Sequence, residues 1–212
     1  MRAYIYWDLV INSAWGLLAP VFAIFLLEKI AVGDIAHGAR IVGFSTFFYW
    51  ISKSLFQIPI ASYLDKNHGE IDDYWFYVIG VVITGLVPFG FLFSYAPWHI
   101  YCLQVLHAFG MSMVIPASYA IFIRHTDKNK EAYESGLDNT LLGVGAGITG
   151  ALGGVLVSYT GFELIFILTG TFTLLSVFLL LPARQHMLPK MPQNVHEFPV
   201  AGNKENTQDT PL

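Results

Sequence analysis

The sequence predicts an all-α protein that crosses a membrane six times, and three observations predict it. Of 212 residues, 55% are hydrophobic and only 12% are charged, where a soluble domain carries about 25% charged residues. With a mean hydropathy of +0.55, too little polar surface remains to cover a water-soluble globule. Six apolar runs can be marked, each near the ~20 residues that a helix needs to cross ~30 Å of hydrocarbon. The charges, finally, are bunched between those runs rather than spread along them.

The first run, 7–28, begins beside Arg2 and carries Asp8, Asn12 and Ser13. Those polar residues argue for a retained helix; a cleaved signal peptide ending near "VFA", 21–23, is the other reading. The second run, 41–62, contains one lysine, Lys53. The third, 74–94, follows Asp72 and Asp73, which are expected to cap its start. The fourth, 98–123, follows after a short connection, while the fifth, 138–159, is rich in glycine. The sixth, 162–182, closes a domain over 1–182. Residues 183–212 are polar and proline-bearing with no apolar periodicity, and are expected to form a disordered cytoplasmic tail.

Orientation follows from lysine and arginine in the short loops. Six crossings put both termini on the side of the polar stretches 63–73 and 124–137. That side holds Arg2, Lys66, Arg124, Lys128, Lys130, Arg184, Lys190 and Lys204, against Lys29 and Arg40 on the other. Both termini are therefore expected in the cytoplasm, with the chain multi-pass in the inner (cell) membrane and the lipid bilayer as its first partner. Net charge is -4 and no basic pattern points to nucleic acid. Cys102 is the single cysteine, so no intrachain disulfide forms, and neither a metal cluster nor a cofactor motif is spelled. A His-Glu-x-x-His pair, a Walker loop and a Gly-x-Ser-x-Gly elbow are all missing, which argues against an enzyme.

The fifth run raises its own question. "GVGAGITGALGG", 143–154, places six glycines in twelve positions, and a helix-interior glycine costs roughly 0.5–1 kcal/mol against alanine in water. In lipid, small residues instead let helix backbones approach closely. Gly143, Gly147, Gly150, Ala151 and Gly154 fall on one face, and Gly145, Thr149 and Gly153 on an adjacent one. Helix packing alone accounts for such a pattern. The longer register says more: Gly136, then Gly145, then Thr149–Gly150, then Gly153–Gly154. It resembles motif C in the fifth helix of major facilitator superfamily (MFS) transporters, with Thr149–Gly150 where Gly-Pro is usual. "ASYLDKNHGE", 61–70, resembles motif A between helices 2 and 3, through Asp65, Lys66 and a displaced Gly69. "QVLHAFG", 104–110, resembles motif B on helix 4, with Gln104 at the usual arginine and His107 where glutamine is common.

The resemblance implies one six-helix half of an MFS secondary transporter, built as a 3+3 inverted repeat and similar to short bacterial relatives. It further implies alternating-access transport of an unidentified small solute. Asp65, Lys66 and Gly69 would then serve a cytoplasmic gating loop, and the absent motif B arginine leaves His107 as the titratable candidate for proton coupling. Pro20 and Pro116 occupy corresponding helices 1 and 4 and are expected to interrupt them beside a substrate pathway. A homodimer, or pairing with another six-helix half, is expected to complete the cavity; a non-transporting assembly subunit or relic half is the alternative. Lys53 separates the two. It lies about nine residues, some 13 Å at 1.5 Å per residue, above the inner end of its run, and a lysine at that depth is costly without a role. Snorkelling is the other use of its length, while Asn12 at similar depth offers a hydrogen bond.

Overall fold

The computed structural model describes residues 2–67, 70–126 and 129–180. Six helices make up this part, with no strand among the described residues: α1 (Arg2–Phe25), α2 (Ile35–Asn67), α3 (Glu70–Leu92), α4 (Pro97–His125), α5 (Glu131–Thr160) and α6 (Phe162–Leu180). Each expected run is a helix, and α1 to α5 extend beyond the apolar run at one end or both. Polar flanks extend a helix when their charge suits its dipole: Lys66 lies in the last turn of α2, and Glu70, Asp72 and Asp73 in the first of α3. Asp73 is therefore no cap. It lies inside the helix, fully buried, ion-paired with Arg124 at the end of α4. Beside it His125 Nδ1 approaches Glu70 Oε1 at 3.7 Å, so two contacts tie the ends of α3 and α4. By length and composition α1 with the turn after it, α3, α4 and α5 suffice to cross a membrane, and α6 is a shorter apolar helix. The chain is a polytopic all-α membrane protein.

The prolines correct one expectation. α1 runs unbroken through Pro20 and α4 through Pro116, as α2 and α3 do through Pro59 and Pro88. Neighbouring helices support a backbone that lacks one hydrogen bond, so proline composition alone does not interrupt a helix here. The irregularity comes six residues after Pro20, where α1 widens into a π-helical turn, Leu26–Ile30. Gly33 then reverses the chain at φ +83°. Asp34 starts α2 by accepting the N–H of His37 at 3.0 Å, a bond that holds its carboxyl below the usual carboxylate range. Gly161, at φ +76°, makes the one-residue turn from α5 to α6.

Helix contacts run in a curved row: α2 on α4, α4 on α3, α3 on α6, α6 on α1, α1 on α5. Exchanging α1 with α4, α2 with α5 and α3 with α6 returns the same row reversed. This is the contact signature of two equivalent three-helix repeats, inverted because each makes three crossings. α3 and α6 lie at the centre of the row, sealed by aromatic and aliphatic residues such as Tyr77, Phe91, Ile165 and Phe166. α2 and α5 lie at its ends and are the least covered; only Asp138 and Gly153 of α5 are buried.

Glycine decides how α5 meets α1. A Cβ on Gly153 would fall within 2.9 Å of the Leu17 carbonyl carbon, and one on Gly145 within 2.7 Å of Leu9 Cδ1. From the other side, a Cβ on Gly16 would reach 2.9 Å from the Ala146 backbone and collide with Thr149 Oγ1. The face Gly145–Thr149–Gly153 is thus the packing face. Gly136, Gly143, Gly147 and Gly154 have nothing within 4 Å of a Cβ and point away from the bundle, while Gly150 lies between at ordinary contact distance.

Candidate functional site

Two cavities open beside α1, α2 and α4, the first reaching α5 and the second reaching Phe91 of α3. The first, about 410 Å³, is bounded by α1 at Asp8, Asn12 and Trp15, by α4 from His107 to Phe122, and by α5 at Ser135, Asp138 and Asn139. The second, about 320 Å³, lies toward the other end of α1, at Leu18, Ala19 and Phe22, with Thr46, Trp50 and Gln104 across from it. Trp15, Tyr49 and His107 line both. A third space of about 710 Å³, near Glu28, Lys29 and Glu163, lies apart at the α5–α6 turn.

The shared residues form one aromatic layer. The Trp15 indole and His107 imidazole stack at 4.0 Å with an angle of 7°, and the Tyr49 ring lies 4.9 Å from His107 at an angle of 41°. α1, α2 and α4 therefore converge on a single histidine. Stacking at this distance suits a flat polarisable ring, and all three residues line both cavities. Trp15 Nε1 has no hydrogen-bond partner among the described residues although it is buried.

Lys53 stands beside this layer. Its Nζ lies 4.6 Å from the Trp50 ring centroid and 5.9 Å from that of Tyr49, distances at which an aromatic face attracts a cation. It lines neither cavity of the pair; it reaches them through Tyr49. No hydrogen bond joins Asn12 to Lys53; Asn12 Nδ2 instead donates to Asp8 at 3.0 Å (backbone O) and 3.2 Å (Oδ1). Gln104 and His107 do share one cavity wall. Asp65 and Lys66 lie exposed at the end of α2, away from the cavities, and Gly69 and the tail 183–212 fall outside the described residues.

Two residues enter the site unannounced by motif. Asp8 and Asp138 face one cavity from α1 and α5, with Asn12 one turn after Asp8 and Asn139 next to Asp138. Asp138 is 9% exposed, and its Oδ1 has no hydrogen-bond partner among the described residues. Asp8 carried a signal in the sequence, a charge one residue into an apolar run, though at far less depth than Lys53.

Six helices in two equivalent triplets, with ionisable groups facing an internal cavity, define a membrane protein of the transporter type. The family model described as Major Facilitator Superfamily matches residues 9–201, and the chain belongs to that superfamily. Comparison with curated proteins finds no match.

Proposed function

We propose that this protein moves a small solute across the cell membrane by alternating access, as a six-helix half that pairs with a second copy of itself. One observation carries the reading: two cavities along the open side of the bundle share the layer of Trp15, Tyr49 and His107. A path closed in the middle by side chains from three helices needs only small helix shifts to open toward one side or the other. The glycine contact between α5 and α1 supports such movement, since flat backbone surfaces slide without unlocking long side chains. A transporter, not an enzyme, is what this arrangement serves.

The second copy follows from the row. α2 and α5 end it and exchange under its internal symmetry. A two-fold axis along the membrane normal would set α2 of each copy against α5 of the other. Both present large apolar side chains outward, among them Phe47, Leu55, Ile148 and Val155.

Reconstituted vesicles challenged with sugars, amino acids, organic anions and organic cations, read by electrical current and tracer uptake, test transport. Uptake of at least one class that saturates with concentration is expected; none for any class overturns it in favour of a non-transporting membrane subunit. Phe47→Cys with Ile148→Cys, in a Cys102→Ser background, should crosslink into a dimer. A monomer with full uptake overturns the pairing alone.

A further inference from the structure

The cavity between α1, α4 and α5 has one-sided charge. Its lining contains two carboxylates, Asp8 and Asp138, and no lysine or arginine. The nearby amide donors are already committed. Asn12 Nδ2 serves Asp8, and Asn139 Nδ2 donates back to Ser135 O at 2.9 Å within its own helix. Asp138 is left with Oδ1 buried and without a donor among the described residues, the residue as a whole only 9% exposed. A buried carboxylate oxygen with no donor is costly, and two carboxylates on one cavity add mutual repulsion. A cation entering the cavity relieves both.

The remaining walls select the kind of cation. Trp15, Tyr49, Tyr119, Phe122 and Met111 put four aromatic rings and a thioether in the lining. Ring faces attract positive charge and offer an apolar body a large contact area. A bare divalent ion wants six or more oxygens around it, and no group of three or more His, Cys, Asp or Glu among the described residues is placed to hold one. The volume, about 410 Å³, is in the range of pockets that enclose small organic molecules.

We propose that this cavity binds a monovalent organic cation, an ammonium or phosphonium with an apolar body. Its charge lies toward Asp138 and Asp8, and its body lies against Trp15, Tyr119 and Phe122. This names the substrate class of the transport path and rests on that reading only for the cavity's place along the path.

Equilibrium binding tests it without requiring transport. The full chain in phosphatidylcholine nanodiscs is titrated with tetraphenylphosphonium and, separately, with tetraphenylborate, which has the same shape and opposite charge. Saturable binding of the phosphonium with at least tenfold preference over the borate is expected. Asp138→Asn should weaken phosphonium binding at least tenfold, and Asp8→Asn with Asp138→Asn should abolish saturation while the helical circular dichroism stays unchanged. Equal binding of the two ions overturns the proposal, as does an Asp138→Asn protein with the parent's affinity. If the carboxamide variants do not fold, the phosphonium-to-borate comparison on the parent decides alone. A parent that binds the phosphonium but transports nothing refutes the transport reading and leaves this one standing. A parent that transports other solutes and ignores the phosphonium does the reverse.

Discussion

At the residue scale the candidate site centres on His107, in ring contact with Trp15 and Tyr49 on two other helices. Lys53 lies beside this group without lining either cavity. The ammonium lies over Trp50 and Tyr49, and such a contact is worth roughly 0.5–2 kcal/mol. Losing it frees Tyr49 to leave the layer. Lys53→Met is therefore expected to insert normally and to lose most solute flux, whereas Lys53→Arg keeps the cation over the rings and retains it. Uptake in reconstituted vesicles, normalised to inserted protein, checks this. Lys53→Met vesicles that transport like the parent would leave Lys53 a snorkelling anchor. The spacing of Asp8 and Asn12, four residues apart on one helix, was legible in the sequence. That Asp138 would face them was not, because 130 residues separate the two acids and only the α1–α5 packing joins them.

At the element scale the two glycine faces of α5 make opposite predictions. Gly153 meets the Leu17 backbone, which has no flexible end to swing aside. Gly153→Val must push α1 away, and overpacking of this kind costs about 1–3 kcal/mol. A lower unfolding temperature in detergent, followed by tryptophan fluorescence, is expected. Gly147→Val, with nothing within 4 Å of its Cβ, should leave that temperature unchanged and weaken only the pairing of copies. If both variants unfold alike, α5 does not divide its work in this way. Glycine spacing separated the faces in the sequence, but it carried no sign of which one would pack. The same blindness hid the α3–α4 contact, where Gly80 and Gly110 approach so closely that a Cβ on either would lie within 3 Å of the other's carbonyl. Thirty residues of chain separate those two glycines, so no local pattern links them.

At the scale of the whole molecule the charge bias and the inverted row yield one topology. Reporters fused after Leu212, between Asn67 and Glu70, and between Thr126 and Asn129 should all act as cytoplasmic. Reporters at Gly33 and Ala96 should act as external. A C-terminal reporter active only outside would reverse the orientation and place Asp8 and Asp138 at the outer end of the path. The buried Asp73–Arg124 pair and its neighbours Glu70 and His125 lie at the same end as Asp8. They hold α3 against α4 there, so movement of the repeats must carry those two helices together.

The sequence by itself determined the class: six helices, their order, and a membrane as solvent. Those follow from run length, composition and charge placement, which act locally or add along the chain. It also carried the superfamily, through glycine and charge registers that survive degenerate residues. Tertiary structure alone decided the site. It showed that Pro20 and Pro116 leave their helices unbroken, that Asp73 serves an ion pair instead of a cap, and that Asn12 turns to Asp8 rather than Lys53. It also brought Trp15, Tyr49 and His107 into one layer. Each of these depends on which faces of distant helices meet. In a membrane, where nearly every helix is apolar all round, hydrophobic periodicity does not say which face that will be.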